Sequence, residues 1–174
     1  WWIVVPIAVA CALVLKVLAM GPKLMLTHEA IIVALRNAQG ELALELMTQW
    51  EKSLDRLGLR QSIGSLEVAS LRARAMAAAG QRDDAHEHLG RSCAEVGAPD
   101  WLRSALSFQV FVQTRDFEGA RDALCHAIET GPPCATFRFD LALLHAMHLR
   151  DLPLARQYEV HGVEQREIEP EGRA

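Results

Sequence analysis

The chain has 174 residues, of which 51% are hydrophobic but only 6% aromatic, and its formal net charge is −4. This length accommodates one domain and an accessory segment, and the abundance of alanine and leucine favours closely packed helices over a β-sandwich. The small acidic excess excludes the basic surface of nucleic-acid-binding proteins. The cysteines are too widely spaced to indicate a disulfide framework or a zinc ribbon: Cys11, Cys93, Cys125 and Cys134.

The first twenty residues are almost wholly apolar, with Lys16 as their only charged side chain. At ~1.5 Å per residue, a helix of this length spans about 30 Å, the thickness of the hydrocarbon core of a bilayer. Two tryptophans stand at its start, as is typical of a membrane interface, and Gly21-Pro22 would end it. The sequence therefore predicts a transmembrane helix over residues 1–22. A buried core helix and a secretory signal are the alternatives, although the basic residues follow the apolar segment instead of preceding it.

The charges around this segment predict its orientation. Lys16, Lys23 and Arg36 lie on its C-terminal side, and Glu29 is the only acidic residue among them. By the positive-inside rule, the domain that follows is expected to be cytoplasmic. Because the chain begins with Trp1, we expect a longer natural protein in which this helix is a single span or the last of several.

Three stretches of the chain resemble one another at a spacing of 35 residues. They begin at Gly80, Arg115 and Arg150, and an alanine follows each by five positions: Ala85, Ala120 and Ala155. This period is typical of stacked helical hairpins, because one amphipathic hairpin cannot bury its apolar face alone. The pattern predicts first helices over residues 65–79, 100–114 and 135–149, and second helices over residues 82–96, 117–130 and 152–167.

A fourth, less regular hairpin precedes these three. Its helices are predicted over residues 27–38 and 41–58, with Gln39-Gly40 as the turn. The sequence thus predicts an all-α fold in which a transmembrane helix is followed by about four hairpins and a polar tail. The predicted hairpins span about residues 25–58, 65–97, 100–131 and 135–167, and the tail spans residues 168–174.

Polar and glycine residues mark the predicted helix ends. Asp100, Asp116 and Thr136 stand where side-chain oxygens would cap a helix N-terminus. Gly97 and Gly131 stand where a helix would stop. These positions divide the chain at the same points as the repeat.

The repeat resembles the tetratricopeptide repeat, whose unit is about 34 residues. The polar turn, the packing alanine and a large apolar residue four positions later (Leu89 and Leu124) carry the resemblance, over roughly residues 24–167. The last unit departs from it with Glu159, and the first helices keep only Trp101 of the family's aromatic pattern. The resemblance implies an α-solenoid, a right-handed superhelix whose first helices line a concave inner face.

No motif in the chain predicts catalysis, a cofactor or a metal site. No phosphate-binding glycine loop or nucleophile elbow is present. His145 and His148 share a predicted helix face, but two histidines alone more often form a structural pair than a metal site. Cys125 and His126 are adjacent on a helix and so do not face each other. We therefore expect this segment not to be an enzyme.

The predicted concave face is the remaining candidate for function. It mixes charged, amide and apolar side chains, which suits an extended peptide or a partner helix. It lacks the basic cluster needed to clamp a terminal carboxylate. The predicted partner-binding residues are Arg36, Glu67, Ser70, Arg74, Gln109, Gln113, Phe137, Asp140, Leu144 and His148.

These features favour a membrane-anchored repeat scaffold that binds a protein or peptide partner beside the bilayer. The alternative is a regulatory or substrate-binding repeat domain of a larger polytopic enzyme or transporter whose catalytic part precedes Trp1. A third hypothesis is that the repeats serve self-association into a homo-oligomer. More apolar spans upstream of Trp1 would favour the polytopic alternative.

Overall fold

The computed structural model describes residues 21–59 and 64–149, together with Pro153. These residues form an all-α fold, as predicted, in which the helices pack like helical hairpins. The helices are α1 (residues 21–36), α2 (Gly40–Leu57), α3 (Ser65–Ala78), α4 (Arg82–Glu95), α5 (Asp100–Gln113), α6 (Phe117–Thr130) and α7 (Ala135–Leu144), which continues as a π-helical turn (His145–Leu149).

Two predicted helices lie outside the described residues. These are the transmembrane helix over residues 1–22, apart from Gly21 and Pro22, and the last helix over residues 152–167, apart from Pro153. Within residues 21–59 and 64–149, no helix is both long enough and apolar enough to cross a membrane.

One backbone motif ends each of the helices α1 to α5. A residue one or two positions after the helix end adopts a positive φ, and its N–H and the next N–H donate to carbonyls three and five residues earlier. This is the Schellman motif, which pairs carbonyl groups that a helix end would otherwise leave unsatisfied. The left-handed residues are Ala38, Gly58, Gly80, Gly97 and Arg115. Because Gly80 and Arg115 are 35 residues apart, the repeat in sequence is also a repeat of backbone conformation.

The helix starts agree with only one of the three predicted caps. The carboxylate of Asp116 accepts a hydrogen bond of 3.0 Å from the backbone N–H of Gly119, so Asp116 caps α6 as predicted. The N-cap positions of α5 and α7 are instead occupied by Pro99 and Cys134, and neither side chain forms a capping bond. Both residues have extended backbone, so each helix starts one or two residues earlier than a cap at Asp100 or Thr136 requires.

The chain divides between Gln81 and Arg82 into two units. The first contains α1, α2 and α3, whose apolar faces form one buried cluster. On α2 the buried residues recur every three or four positions, as on one face of an amphipathic helix. The cluster comprises Ile31, Ala34 and Leu35 of α1, Ala43, Met47, Trp50 and Leu54 of α2, and Val68, Leu71 and Ala75 of α3.

Gly40 lies at a close approach between two helices of the first unit. A Cβ at this position would lie 2.2 Å from the backbone carbon of Ala78, far inside van der Waals contact. The absence of a side chain therefore lets the start of α2 approach the backbone at the end of α3. Only three residues (37–39) separate the end of α1 from this start of α2.

The second unit contains α4 to α7. Helix α6 lies between α5 and α7, and α4 packs on α5. Ala120, Leu124 and Ala127 form the buried face of α6 at helical spacing. Ala120 and Leu124 share a cluster with Leu141 and Leu144 of α7, against which partly buried aromatic residues of α5 and α6 pack. The predicted packing alanine of this repeat is thus fully buried.

Candidate partner-binding surface

The ten predicted partner-binding residues fall in both units, and each group is described within its own unit. In the first unit, Arg36 is the last residue of α1 and is exposed, and Glu67 is exposed near the start of α3. Arg74 is half-buried on α3. Ser70, one turn before Arg74, is only 6% exposed. Its side chain therefore belongs to helix packing, which differs from the predicted accessible position.

Arg72 and Arg74 are two residues apart on α3 but have different surroundings. The guanidinium of Arg72 pairs with the carboxylate of Glu51, which α2 holds in a mostly buried position. For Arg74, no carboxylate of residues 21–59 or 64–149 lies within ion-pair distance. Burial, together with the positive charge of Arg36, lowers the pKa of Arg74. Arg74 is thus a partly desolvated cation whose nearest influential charge has the same sign.

In the second unit, α5 contributes Gln109 and Gln113 to the predicted surface, and both are half-buried. Phe137 of α7 lies beside Trp101 of α5, with 6.3 Å between the ring centroids. Asp140, one turn after Phe137, is half-buried, and burial raises the pKa of its carboxyl group. These residues give α5 and α7 a surface of mixed polar and aromatic character.

The two remaining predicted residues of α7 have opposite environments. Leu144 is 3% exposed and lies in the apolar cluster with Ala120, Leu124 and Leu141, so its side chain packs inside the unit. His148 is exposed, and its ring stacks on Phe117 at 4.0 Å between centroids with an interplanar angle of 8°. Leu144, like Ser70, is therefore placed differently from the prediction, because helix packing takes precedence over the repeat register.

The histidines and the cysteine considered above as metal ligands or as a nucleophile lie in different environments. His145 is buried whereas His148 is exposed, so the two rings do not share one accessible face. The Nδ1 atom of His126 is 3.0 Å from the Oγ atom of Ser104, and burial raises the pKa of the neighbouring Cys125 thiol, which disfavours a reactive thiolate. Among the described residues, no group of three or more potential ligands could hold a metal ion.

Sequence reasoning missed a polar cluster at the start of α6. The guanidinium of Arg82 pairs with the carboxylate of Asp116 and lies 5.7 Å from the centroid of the Phe111 ring. The ring of His86 packs on the same phenyl ring at 4.5 Å, and its Nε2 atom is buried without a hydrogen-bond partner among the described residues. The only sequence signal was that Arg82 and Asp116 are separated by 34 residues, close to the repeat period.

An exposed apolar stripe on α7 was also missed. Phe139, Leu143 and Met147 are all exposed and recur every fourth residue, so they line one side of the helix and its π-helical extension. The spacing was visible in the sequence, but the side of the helix that would remain uncovered was not.

Comparison of the chain with known proteins gives no family assignment. It matches no protein-family model, and no match was found among curated proteins or solved structures.

Proposed function

We propose that this protein is a tetratricopeptide-like scaffold that binds a protein or peptide partner through the surface of its first helices. The observation that carries the proposal is the recurrence, at 35 residues, of both the turn conformation and the buried packing positions. Ala85 and Ala120 are each fully buried, as are Leu89 and Leu124. Repeats of this kind are built to present an extended surface, because each unit contacts only its neighbours.

The polar and aromatic side chains of α5 and α7, each the first helix of its predicted hairpin, support a peptide partner. On α5 and α7, half-buried polar side chains (Gln109, Gln113 and Asp140) accompany the aromatic pair of Trp101 and Phe137. A surface with partly desolvated polar groups and aromatic anchors suits peptide recognition, in which a few fixed groups give specificity.

Affinity capture from native membranes tests this proposal. The bait is the chain over residues 1–174, compared with Arg74→Glu in the proposed surface. Arg91→Glu is the matched control, because Arg91 is exposed on α4 and pairs with Glu87 of the same helix. The same proteins should be captured by the wild type and by Arg91→Glu, and lost with Arg74→Glu. Far-ultraviolet circular dichroism must show that both variants remain folded. Equal capture by all three baits would contradict the proposal.

The membrane anchor is part of the same proposal. It is supported by the apolar sequence of residues 1–20, and the basic residues that follow favour a repeat domain on the cytoplasmic side. A chain with residues 1–174 should partition into membranes and resist carbonate extraction. A chain over residues 23–174 is the control and should be extracted. Release of both chains into the soluble fraction would contradict the anchor.

A further inference from the structure

Arg36 and Arg74 are distant in sequence but are brought together in the first unit. Leu35, which precedes Arg36, and Ala75, which follows Arg74, belong to the same buried cluster. The start of α2 at Gly40 approaches the backbone of Ala78 at the end of α3, and three residues (37–39) separate Gly40 from the end of α1. Arg36 and Arg74 therefore both leave the backbone next to residues of one buried cluster, and the positive charge of Arg36 acts on the guanidinium of Arg74.

This pair of cations has no counterion among the described residues. Over residues 21–59 and 64–149, neither guanidinium forms an ion pair or a side-chain hydrogen bond, whereas Arg72 on the same helix pairs with Glu51. Burial, and then the positive charge of Arg36, disfavour the protonated form of Arg74 and lower its pKa. Keeping the half-buried guanidinium of Arg74 under the influence of a second positive charge costs free energy, and a bound anion would recover part of it.

The site belongs to a surface that the sequence already predicted, but the pairing of these two residues was not predicted. Two guanidinium forks can each bind a carboxylate through two hydrogen bonds. Phosphate sites usually add backbone N–H groups at a helix N-terminus. Here Arg36 lies at the C-terminal end of α1, whose partial negative charge repels a dianion more strongly than a monoanion.

We propose that Arg36 and Arg74 form an anion-binding site that takes a carboxylate side chain from an acidic segment of the partner. The proposal rests on the proposed function, because it names the chemistry of the partner that the repeat surface binds. It differs from a clamp for a terminal carboxylate, since side-chain carboxylates within a segment are sufficient. The site would orient the partner by anchoring an Asp or Glu at one point of the first unit.

Fluorescence anisotropy with a labelled, C-terminally amidated hexaglutamate tests this site. The amide removes the terminal carboxylate, and a labelled hexaglutamine of the same length controls for binding that does not depend on charge. At low, fixed ionic strength the wild type should bind hexaglutamate saturably and hexaglutamine not at all. Arg36→Gln and Arg74→Gln should each weaken binding about tenfold, since each removes charge-assisted hydrogen bonds.

Lys52→Gln is the matched control, because Lys52 is an exposed cation of α2 in the same unit. It should change the affinity by less than about twofold, which is the effect of one remote surface charge. A loss with Lys52→Gln as large as the loss with Arg36→Gln would show attraction by total charge, and the site would be refuted. Arg36 is exposed, so its variant gives an answer even if Arg74→Gln impairs folding.

Competition by small anions distinguishes a site for a carboxylate from a site for a phosphate. With the ionic strength held constant by an inert salt, acetate should displace hexaglutamate at concentrations no higher than those of inorganic phosphate. Displacement by phosphate at lower concentrations would overturn the carboxylate assignment in favour of a phosphate site. If hexaglutamate does not bind while membrane capture still depends on Arg74, this inference fails and the scaffold function stands. If hexaglutamate binds while nothing is captured, the scaffold function fails instead.

Discussion

Helices α4 and α6 are the second helices of successive repeats, and they bury the same positions. Ala85 corresponds to Ala120 and Leu89 to Leu124, and all four are at most 1% exposed. The turns before the two helices have the same Schellman backbone but different residues, with Gly80-Gln81 in one and Arg115-Asp116 in the other. The two repeats therefore share a buried alanine, a buried leucine and the backbone conformation of the turn. They differ in the side chains of the turn.

The difference between the turns shows two ways to stabilise one conformation. Gly80 adopts a left-handed φ of 84° at little steric cost, whereas Arg115 adopts 58° against the preference of a residue with a Cβ. The second turn has Asp116, which caps α6 and pairs with Arg82. We infer that the cap offsets the strain at Arg115. The following substitutions test this equivalence, from the largest expected effect to the smallest.

Truncating the equivalent leucines should have the largest effect. Leu89→Ala and Leu124→Ala should each lower the free energy of unfolding by about 2–5 kcal/mol, since each side chain is buried and its truncation leaves a cavity. Urea denaturation followed by far-ultraviolet circular dichroism measures both. Val96→Ala is the control, because Val96 is exposed, and it should cost less than about 0.5 kcal/mol. A large loss at only one leucine would mean that the two positions are not equivalent.

Much of this comparison was visible in the sequence, because helix periodicity and turn residues are local signals. The described helices begin and end within about three residues of the predicted bounds, with two exceptions. Helix α1 is already helical at residue 21, and the α-helical part of α7 ends at Leu144 and continues as a π-helical turn to Leu149. The buried alanines followed from the 35-residue period. Ser70 and Leu144 were placed wrongly on the accessible face, because the packing of neighbouring helices decides which side of a helix is covered.

The candidate anion site was less accessible to sequence reasoning for a related reason. Arg36 and Arg74 were each predicted to bind a partner, but their proximity depends on the approach of Gly40 to Ala78. The same holds for Arg82 and Asp116, whose ion pair joins two turns of the chain. A sequence pattern gives the face of a helix, whereas a pair of side chains from different helices depends on how those helices pack.

Substitution of the positive-φ residue in each turn, Gly80 or Arg115, should have the next largest effect on stability. Gly80→Ala should lower the free energy of unfolding by about 1–2 kcal/mol through backbone strain alone, because a Cβ at Gly80 meets no atom within 4 Å. Arg115→Gly should raise it by up to about 1 kcal/mol, since it relieves the same strain. Urea denaturation measures both changes.

The control for this pair is Gly90→Ala within α4, where a Cβ also meets open space. Here the same substitution should raise stability by about 0.5–1 kcal/mol, because alanine favours a helix interior. If Gly80→Ala were also stabilising, the left-handed φ would not be the constraint at that turn.

The cap at the second turn should contribute about as much as the strain that it offsets. Asp116→Ala should lower the free energy of unfolding by about 0.5–2 kcal/mol, the usual effect of losing an N-cap. Gln81→Asp places a carboxylate at the equivalent position before α4 and should raise stability by about 0.5 kcal/mol. Arg82→Gln separates the two roles of Asp116, because it removes the ion pair and leaves the cap. A loss with Arg82→Gln equal to that with Asp116→Ala would assign the effect to the ion pair.

The smallest expected difference between the two helices is their response to pH. Burial, and then the charge of Arg82, lower the pKa of His86, while Asp83 and Asp116 oppose the shift. The equivalent position of α6 is Arg121, which does not titrate in this range. Because the folded-state pKa of His86 lies below its unfolded value of about 6.5, the unfolded chain binds the proton more readily. The stability due to neutral His86 is therefore present above about pH 6.5 and is lost as the pH falls through its folded pKa.

The midpoint of urea denaturation, measured between about pH 7.5 and pH 5.5, should fall with pH in the wild type and fall less in His86→Gln. Arg82→Gln is the informative partner variant. It removes the second cause of the shift but not the burial of the ring, so a smaller pH dependence should remain. Asp116 does not interfere, because its own pKa is lowered by its hydrogen bond from Gly119 and by Arg82, and it gains a proton only in more acidic solution. If His86→Gln kept the full pH dependence of the wild type, the imidazole that packs against Phe111 would not be its source, and this position of α4 would contribute as little to the pH dependence as Arg121 of α6.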